Sequence, residues 1–218
     1  TLMKVGLTVA RQFESIDIAR AAGDGLLIDQ AQNCAFILVD SGNNGGSGVV
    51  LDYGAGGHAF YKCEFNLNGY ANGRTRYSAA VTGPGYPTVS HNLFSHCLFE
   101  GTKASTVAAF AHEAGTRTVF QSVIMSLLSG ANGHADLYGT DIPVLLVRKA
   151  HADGAAVSNR VYLTGGTHLI GSKPSASTAY LGTGIQVENT PGEPNVANVY
   201  IEGGTHISLC NVALKTKV

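Results

Sequence analysis

Two glutamates are the first residues of this 218-residue chain to invite a chemical reading. Glu188 closes Gly184-Ile185-Gln186-Val187-Glu188 and Glu202 closes Asn198-Val199-Tyr200-Ile201-Glu202, and at an offset of 14 the apolar and polar positions of the two segments coincide. Laid side by side as strands, they would hold the carboxylates outward about 5 Å apart, the separation used by retaining glycosidases. Any two outward residues on neighbouring strands share that spacing. A solvated face that hydrogen-bonds sugar hydroxyls therefore fits the same residues.

Tyr162 and Tyr200 stand at equivalent outward positions, expected two strand steps and near 10 Å apart, with Gln186 between them. Sugar C–H faces pack on aromatic rings while amides and carboxylates take the hydroxyls, so Tyr162, Gln186, Tyr200 and Glu202 form the candidate glycan-binding set. Tyrosines selected only for strand propensity would look the same.

His168 and His206 repeat at an offset of 38. Two strand steps would separate them by about 9.6 Å, too far for one zinc, whose ligands lie about 3–3.5 Å apart. His58 near Cys63, with His91 and His96 near Cys97, is a second set, but there the cysteines read as inward and His96 as outward. No metal and no cofactor is expected. His112, Glu113, His134, Asp136 and Asp141 could line a cleft, although spacing assigns them no roles. Gly42-Asn43-Asn44-Gly45-Gly46 lacks the Lys-Ser/Thr of a phosphate loop, and there is no GxSxG nucleophile motif.

The elements that must carry these residues are short strands. Asn159-Arg160-Val161-Tyr162-Leu163-Thr164-Gly165-Gly166-Thr167-His168-Leu169 nearly repeats as Asn198-Val199-Tyr200-Ile201-Glu202-Gly203-Gly204-Thr205-His206-Ile207, a strand, a glycine corner and a second strand. With Ile185 and Val187 between the copies, the 38-residue offset is read as two coils of roughly 20 residues. Three further segments carry apolar residues at relative positions 1, 4 and 6: Phe60/Cys63/Phe65, Phe94/Cys97/Phe99 and Phe120/Val123/Met125. Stacked, they would place Cys63 over Cys97 and Val123 in one internal ladder. Their unequal spacing calls for projecting loops at 68–77, 82–89 and 130–141. Residues 10–22 mix helical and strand spacing, and a short helix capping the column is expected there.

Composition agrees with many strands and turns. The chain is 44% hydrophobic but only 13% charged, with 28 glycines, which disfavours a helical bundle with wet charged faces. A net charge of −1 removes the electrostatic case for nucleic acid, and no apolar run suits a membrane helix. Thr1-Leu2-Met3-Lys4 does not read as a signal peptide, so cytosolic synthesis is expected. Cys34, Cys63, Cys97 and Cys210 form no CxxC and have apolar neighbours, as buried reduced thiols do.

The glycine-cornered strands, the GGTH duplicate and the Phe-x-x-Cys-x-Phe ladder together resemble the right-handed parallel β-helix of bacteriophage tail spikes and of the pectate-lyase-like superfamily, over roughly residues 25–210. The resemblance implies an all-β, single-stranded right-handed parallel β-helix (25–218) behind an N-terminal strand and cap (1–24). It also implies a homotrimer on a virion surface, beside other virion proteins, that binds host surface polysaccharide. A non-enzymatic structural or glycan-binding role is the expectation. A polysaccharide lyase or glycoside hydrolase acting through Glu188 and Glu202 is the alternative.

Overall fold

The computed structural model describes residues 1–52, 55–68, 77–81, 91–101, 108–113, 117–127, 142–148, 159–172, 181–189 and 197–217. In chain order the strands are β1 (Met3–Gly6), β2 (Gln12–Ala19), β3 (Leu26–Asp29), β4 (Ala35–Gly42), β5 (Val49–Leu51), β6 (Ala59–Tyr61) and β7 (Glu64–Phe65). There follow β8 (Tyr77–Val81), β9 (Asn92–Ser95), β10 (Leu98–Gly101), β11 (Ala108–His112), β12 (Thr118–Gln121) and β13 (Ile124–Leu127). The last are β14 (Pro143–Arg148), β15 (Asn159–Thr164), β16 (His168–Ile170), β17 (Thr183–Glu188), β18 (Ala197–Ile201), β19 (His206–Ser208) and β20 (Val212–Lys217).

The described chain is all-β, in two sheets whose named strands pair in parallel. One sheet runs β1-β3-β5-β8-β11-β14-β17-β20, and the other runs β18-β15-β12-β9-β6-β4-β7-β10-β13-β16-β19 with β2 on β4. The second sheet folds around β4, whose first half pairs with β6 and whose Asp40 pairs with Glu64 of β7. Strands of the two sheets alternate along the sequence, so a segment's neighbours are a full alternation away in the chain.

The apolar 1-4-6 spacing has a backbone cause. Its third residue adopts a left-handed conformation: Lys62 (φ 53°), His96 (φ 56°) and Ser122 (φ 53°). One such residue turns the strand through a corner and resets the alternation, so that the residue just past the corner also points inward. Each corner N–H is tied to the next strand, Lys62 to Ser95 O at 3.0 Å and His96 to Gln121 O at 3.0 Å. The spacing recurs at Phe13/Ile16/Ile18 around Ser15 (φ 55°) and at Phe36/Val39/Ser41 around Leu38 (φ 53°).

This corrects the expected capping helix over 10–22. Residues 12–19 form β2, paired with β4 from Gln12↔Ala35 to Ala19↔Gly42, and β1 pairs with β3. The apparent helical spacing of Phe13 and Ile16 is the corner motif.

Inside the bend the register piles like side chains on like. Phe13, Phe36, Phe60, Phe94 and Phe120 stack with centroids 5.0, 4.8, 4.5 and 5.3 Å apart and planes within 14° of parallel. Phe65 stacks on Phe99 at 5.2 Å, and Phe110 from the opposite sheet meets Phe99 edge-on at 4.9 Å. The expected ladder of Cys63, Cys97 and Val123 is present, all three buried, and Thr167 continues it. Cys34, Cys63, Cys97 and Cys210 are unpaired thiols. Polar turns are closed from within: Ala21 N–H donates to Asn44 Oδ1 (2.9 Å), Asn44 N–H to Asn68 Oδ1 (3.2 Å), and Asn68 Nδ2 to Ser41 O (2.8 Å). The loops expected at 68–77, 82–89 and 130–141 lie almost wholly outside the described residues, as do His134, Asp136 and Asp141.

Candidate functional site

The two GGTH segments are direct neighbours. Val161, Tyr162 and Leu163 of β15 face Val199, Tyr200 and Ile201 of β18, and His168 faces His206. The expectation of two strand steps is therefore corrected to one, because the intervening Ile185 and Val187 belong to the other sheet. The paired glycines widen the corner: between register pairs Gln121↔Thr164 and Ile124↔His168, one strand has Ser122-Val123 and the other Gly165-Gly166-Thr167. Gly165 (φ 59°) and Gly166 (φ 80°) both need left-handed backbone, which glycine adopts without a Cβ clash. Thr167 fills the wider corner, its hydroxyl donating to Thr164 O at 2.9 Å and accepting from Val123 N–H at 3.4 Å.

On the outer face of β12, β15 and β18 three columns run across the strands. Arg117 precedes the pair Thr118↔Val161 and so stands opposite Arg160, which faces Asn198. Val119, Tyr162 and Tyr200 form the second column, and Gln121 and Thr164 the third. Glu202 extends that third column, with its N–H bonded to Leu163 O at 2.9 Å. The tyrosine rings stack at 4.6 Å and 11°, and the Arg117 guanidinium lies 5.2 Å from the Tyr162 centroid. Tyr162 thus has Arg117 on the β12 side and Tyr200 on the other, which leaves its phenol edge, not its face, to a ligand. Tyr200 is 43% exposed, and among the described residues no strand lies beyond it on its far side.

Gln186 does not join this face. It sits in β17, buried, beside Leu146 and Lys215 and donating to Glu188 Oε1 at 2.5 Å. The stacking of Glu188 on Glu202 is likewise corrected, since the two carboxylates belong to different sheets. Fourteen residues carry the chain from one sheet to the other, whereas 38 return it to the same sheet. Glu188 instead faces Arg148 (Nη1–Oε2 3.6 Å), and Arg148 donates twice to buried Glu113 Oε1, at 2.5 and 2.8 Å. Glu188 thus shares the Arg148 guanidinium with Glu113, and the expected Glu188/Glu202 pair for general acid–base work is not formed.

The histidines divide by face. His168 and His206 are exposed and stacked at 4.9 Å, and His96 is exposed at its corner. His58 is buried against Phe36 and Phe60 and accepts from Cys34 N–H at 3.2 Å, and burial lowers its pKa to about 4. His112 lies in the core 2.8 Å from Thr118 Oγ1, its pKa lowered by burial to about 3. Among the described residues no cluster of His, Cys, Asp and Glu could hold a metal ion.

No family model, curated protein or solved structure matches this chain. The site must be read from its own geometry.

Sequence reasoning missed two features. One is the Arg117/Arg160 pair. The other is an acidic row, Asp17 facing Asp40 facing Glu64, with Glu100 two residues beyond Leu98, the neighbour of Glu64. Burial, then Glu64 and Asp17, raises the Asp40 pKa, and burial, then Glu64, raises that of Glu100. The signal was available: Asp17, Asp40 and Glu64 each occupy position 5 of a 1-4-6 motif, once the motif is extended to Phe13 and Phe36, and Glu100 follows at position 7 of the Phe94 motif.

Proposed function

We propose that this chain is a right-handed parallel β-helix from a phage virion surface protein of tail-spike, appendage or capsid-decoration type, which binds host polysaccharide without cleaving it. Two alternating parallel sheets with in-register aromatic and aliphatic columns support the winding, and crossovers between parallel strands are right-handed in about 98% of cases. The observation that carries the binding role is the outer face of β15 and β18. There a partly exposed tyrosine stack is flanked by guanidinium groups on one side and by Thr164 and Glu202 on the other. Such a face offers donors, acceptors and one open aromatic surface to a sugar chain.

Binding of host capsular or lipopolysaccharide oligosaccharides to immobilised protein tests this reading. Tyr200→Ala and Glu202→Gln should each weaken binding, and a folded chain that binds no surface glycan would refute the role. The hydrolase alternative loses support because Glu188 and Glu202 lie apart, and it predicts reducing-end release that the binding reading does not. The homotrimer, at three times 22.6 kDa, is carried by the resemblance to tail spikes, and a monomer in sedimentation would remove it.

A further inference from the structure

Resting on the glycan-binding reading above, we infer that the face takes an acidic polysaccharide, whose sugar carboxylate is held by Arg117 and Arg160. These arginines are exposed and stand opposite each other on β12 and β15. Like charges directly opposite on neighbouring strands repel and destabilise the pair. Among the described residues neither arginine has a carboxylate within ion-pair distance, whereas Arg148 has two and Lys4 has Asp29. The Arg117 guanidinium is further held over the Tyr162 ring at 5.2 Å, which limits its freedom before any ligand arrives. One guanidinium held in place on β12 and a second on the adjacent strand match a carboxylate, which accepts from guanidinium in a forked geometry.

The far end of the face has the opposite character. Four residues separate the arginine column from the column of Gln121, Thr164 and Glu202, roughly 13 Å along the strand. Glu202 repels a second carboxylate there and accepts from hydroxyls, with Thr164 and Gln121 beside it. The geometry selects a chain in which an acidic sugar is joined to a neutral one, the acid over the arginines and the neutral sugar over Glu202 and the face of Tyr200.

The experiment uses the full chain and one pair of probes: an oligosaccharide alternating hexuronic acid with N-acetylhexosamine, and the same oligosaccharide after carboxyl reduction to neutral hexose. Calorimetry should show the acidic form bound about 10-fold or more tighter at low salt, an advantage that shrinks as salt is raised. Arg117→Gln and Arg160→Gln should each reduce that preference without lowering the thermal midpoint, since each also relieves the repulsion between the two cations, and Glu202→Gln should keep it. Equal binding of the two probes, or a preference unchanged in both arginine variants, overturns the acidic specificity and leaves glycan binding standing. Failure of the folded chain to bind either probe overturns the acidic specificity, and glycan binding itself falls only if the capsular and lipopolysaccharide oligosaccharides also fail to bind.

Discussion

The ring of Tyr200 lies on the ring of Tyr162, 4.6 Å away and 11° from parallel, although 38 residues separate them in the chain. Removing either ring should remove the stack. A double-mutant cycle of Tyr162→Ala and Tyr200→Ala, read by chemical denaturation, should give a coupling of about 0.5–1.5 kcal/mol. Glycan affinity should fall more for Tyr200→Ala, because only Tyr200 has an open face.

Phe60 is fully buried, between Phe36 at 4.8 Å and Phe94 at 4.5 Å. Truncation leaves a cavity that the stacked strands cannot close, because strand spacing is set by backbone hydrogen bonds. Phe60→Ala should cost about 3–5 kcal/mol in urea denaturation, and Phe60→Leu clearly less.

Left-handed corners put opposite signs on two glycine exchanges. Lys62 holds φ 53° with a side chain on the outer surface, and relief of that strain offsets the chain entropy glycine adds, so Lys62→Gly should raise stability by up to about 1 kcal/mol. Gly165 (φ 59°) would place an added Cβ 3.1 Å from Gln121 Cγ, so Gly165→Ala should lower stability by about 1 kcal/mol or more. Thermal midpoints of the two variants check the pair.

Stability should respond to pH in two opposing ways. His58 and His112 have folded pKa values of about 4 and about 3, below the ordinary 6.5. The unfolded chain then binds protons first, so their contribution is full above pH 6.5 and is lost as pH falls through the folded values of about 4 and about 3. Asp40 and Glu100 have raised pKa values, so their contribution is full in acid and is lost as pH rises through the folded values. Asp40→Asn should therefore stabilise the protein at pH 7 and do little in acid. Denaturation midpoints across pH 3–8 for both proteins measure this, and an Asp40→Asn protein weaker at pH 7 would refute it.

Arg148 joins Glu113 and Glu188 across three neighbouring strands, and Glu113 is nearly inaccessible to water. Arg148→Met should cost about 3 kcal/mol by taking the guanidinium away from a buried carboxylate. Glu188→Gln should cost much less, since its contact at 3.6 Å is half-exposed. Urea denaturation of the two variants decides the order.

The 1-4-6 motif, the GGTH duplicate and the alternating aliphatic runs are local patterns that a strand or a corner imposes on its own residues. They are legible in one dimension, and so were the ladder of Cys63, Cys97 and Val123 and the parallel placement of Val161 and Val199 in one sheet, though one strand step, not the expected two, separates that pair. The motif was visible at Phe60, Phe94 and Phe120 but hidden at Phe13, where Ile16 mimics a helical spacing. Which strands share a sheet is not a local property. The segments around Ile185 and Val199 carry the same apolar alternation, and nothing in either segment records that the chain crosses between sheets over 14 residues but returns over 38. Only the packed structure decides that, since closure of the core fixes how much chain separates neighbours. It parted Glu188 and Gln186 from Glu202, put Tyr162 against Tyr200, and set Arg117 opposite Arg160.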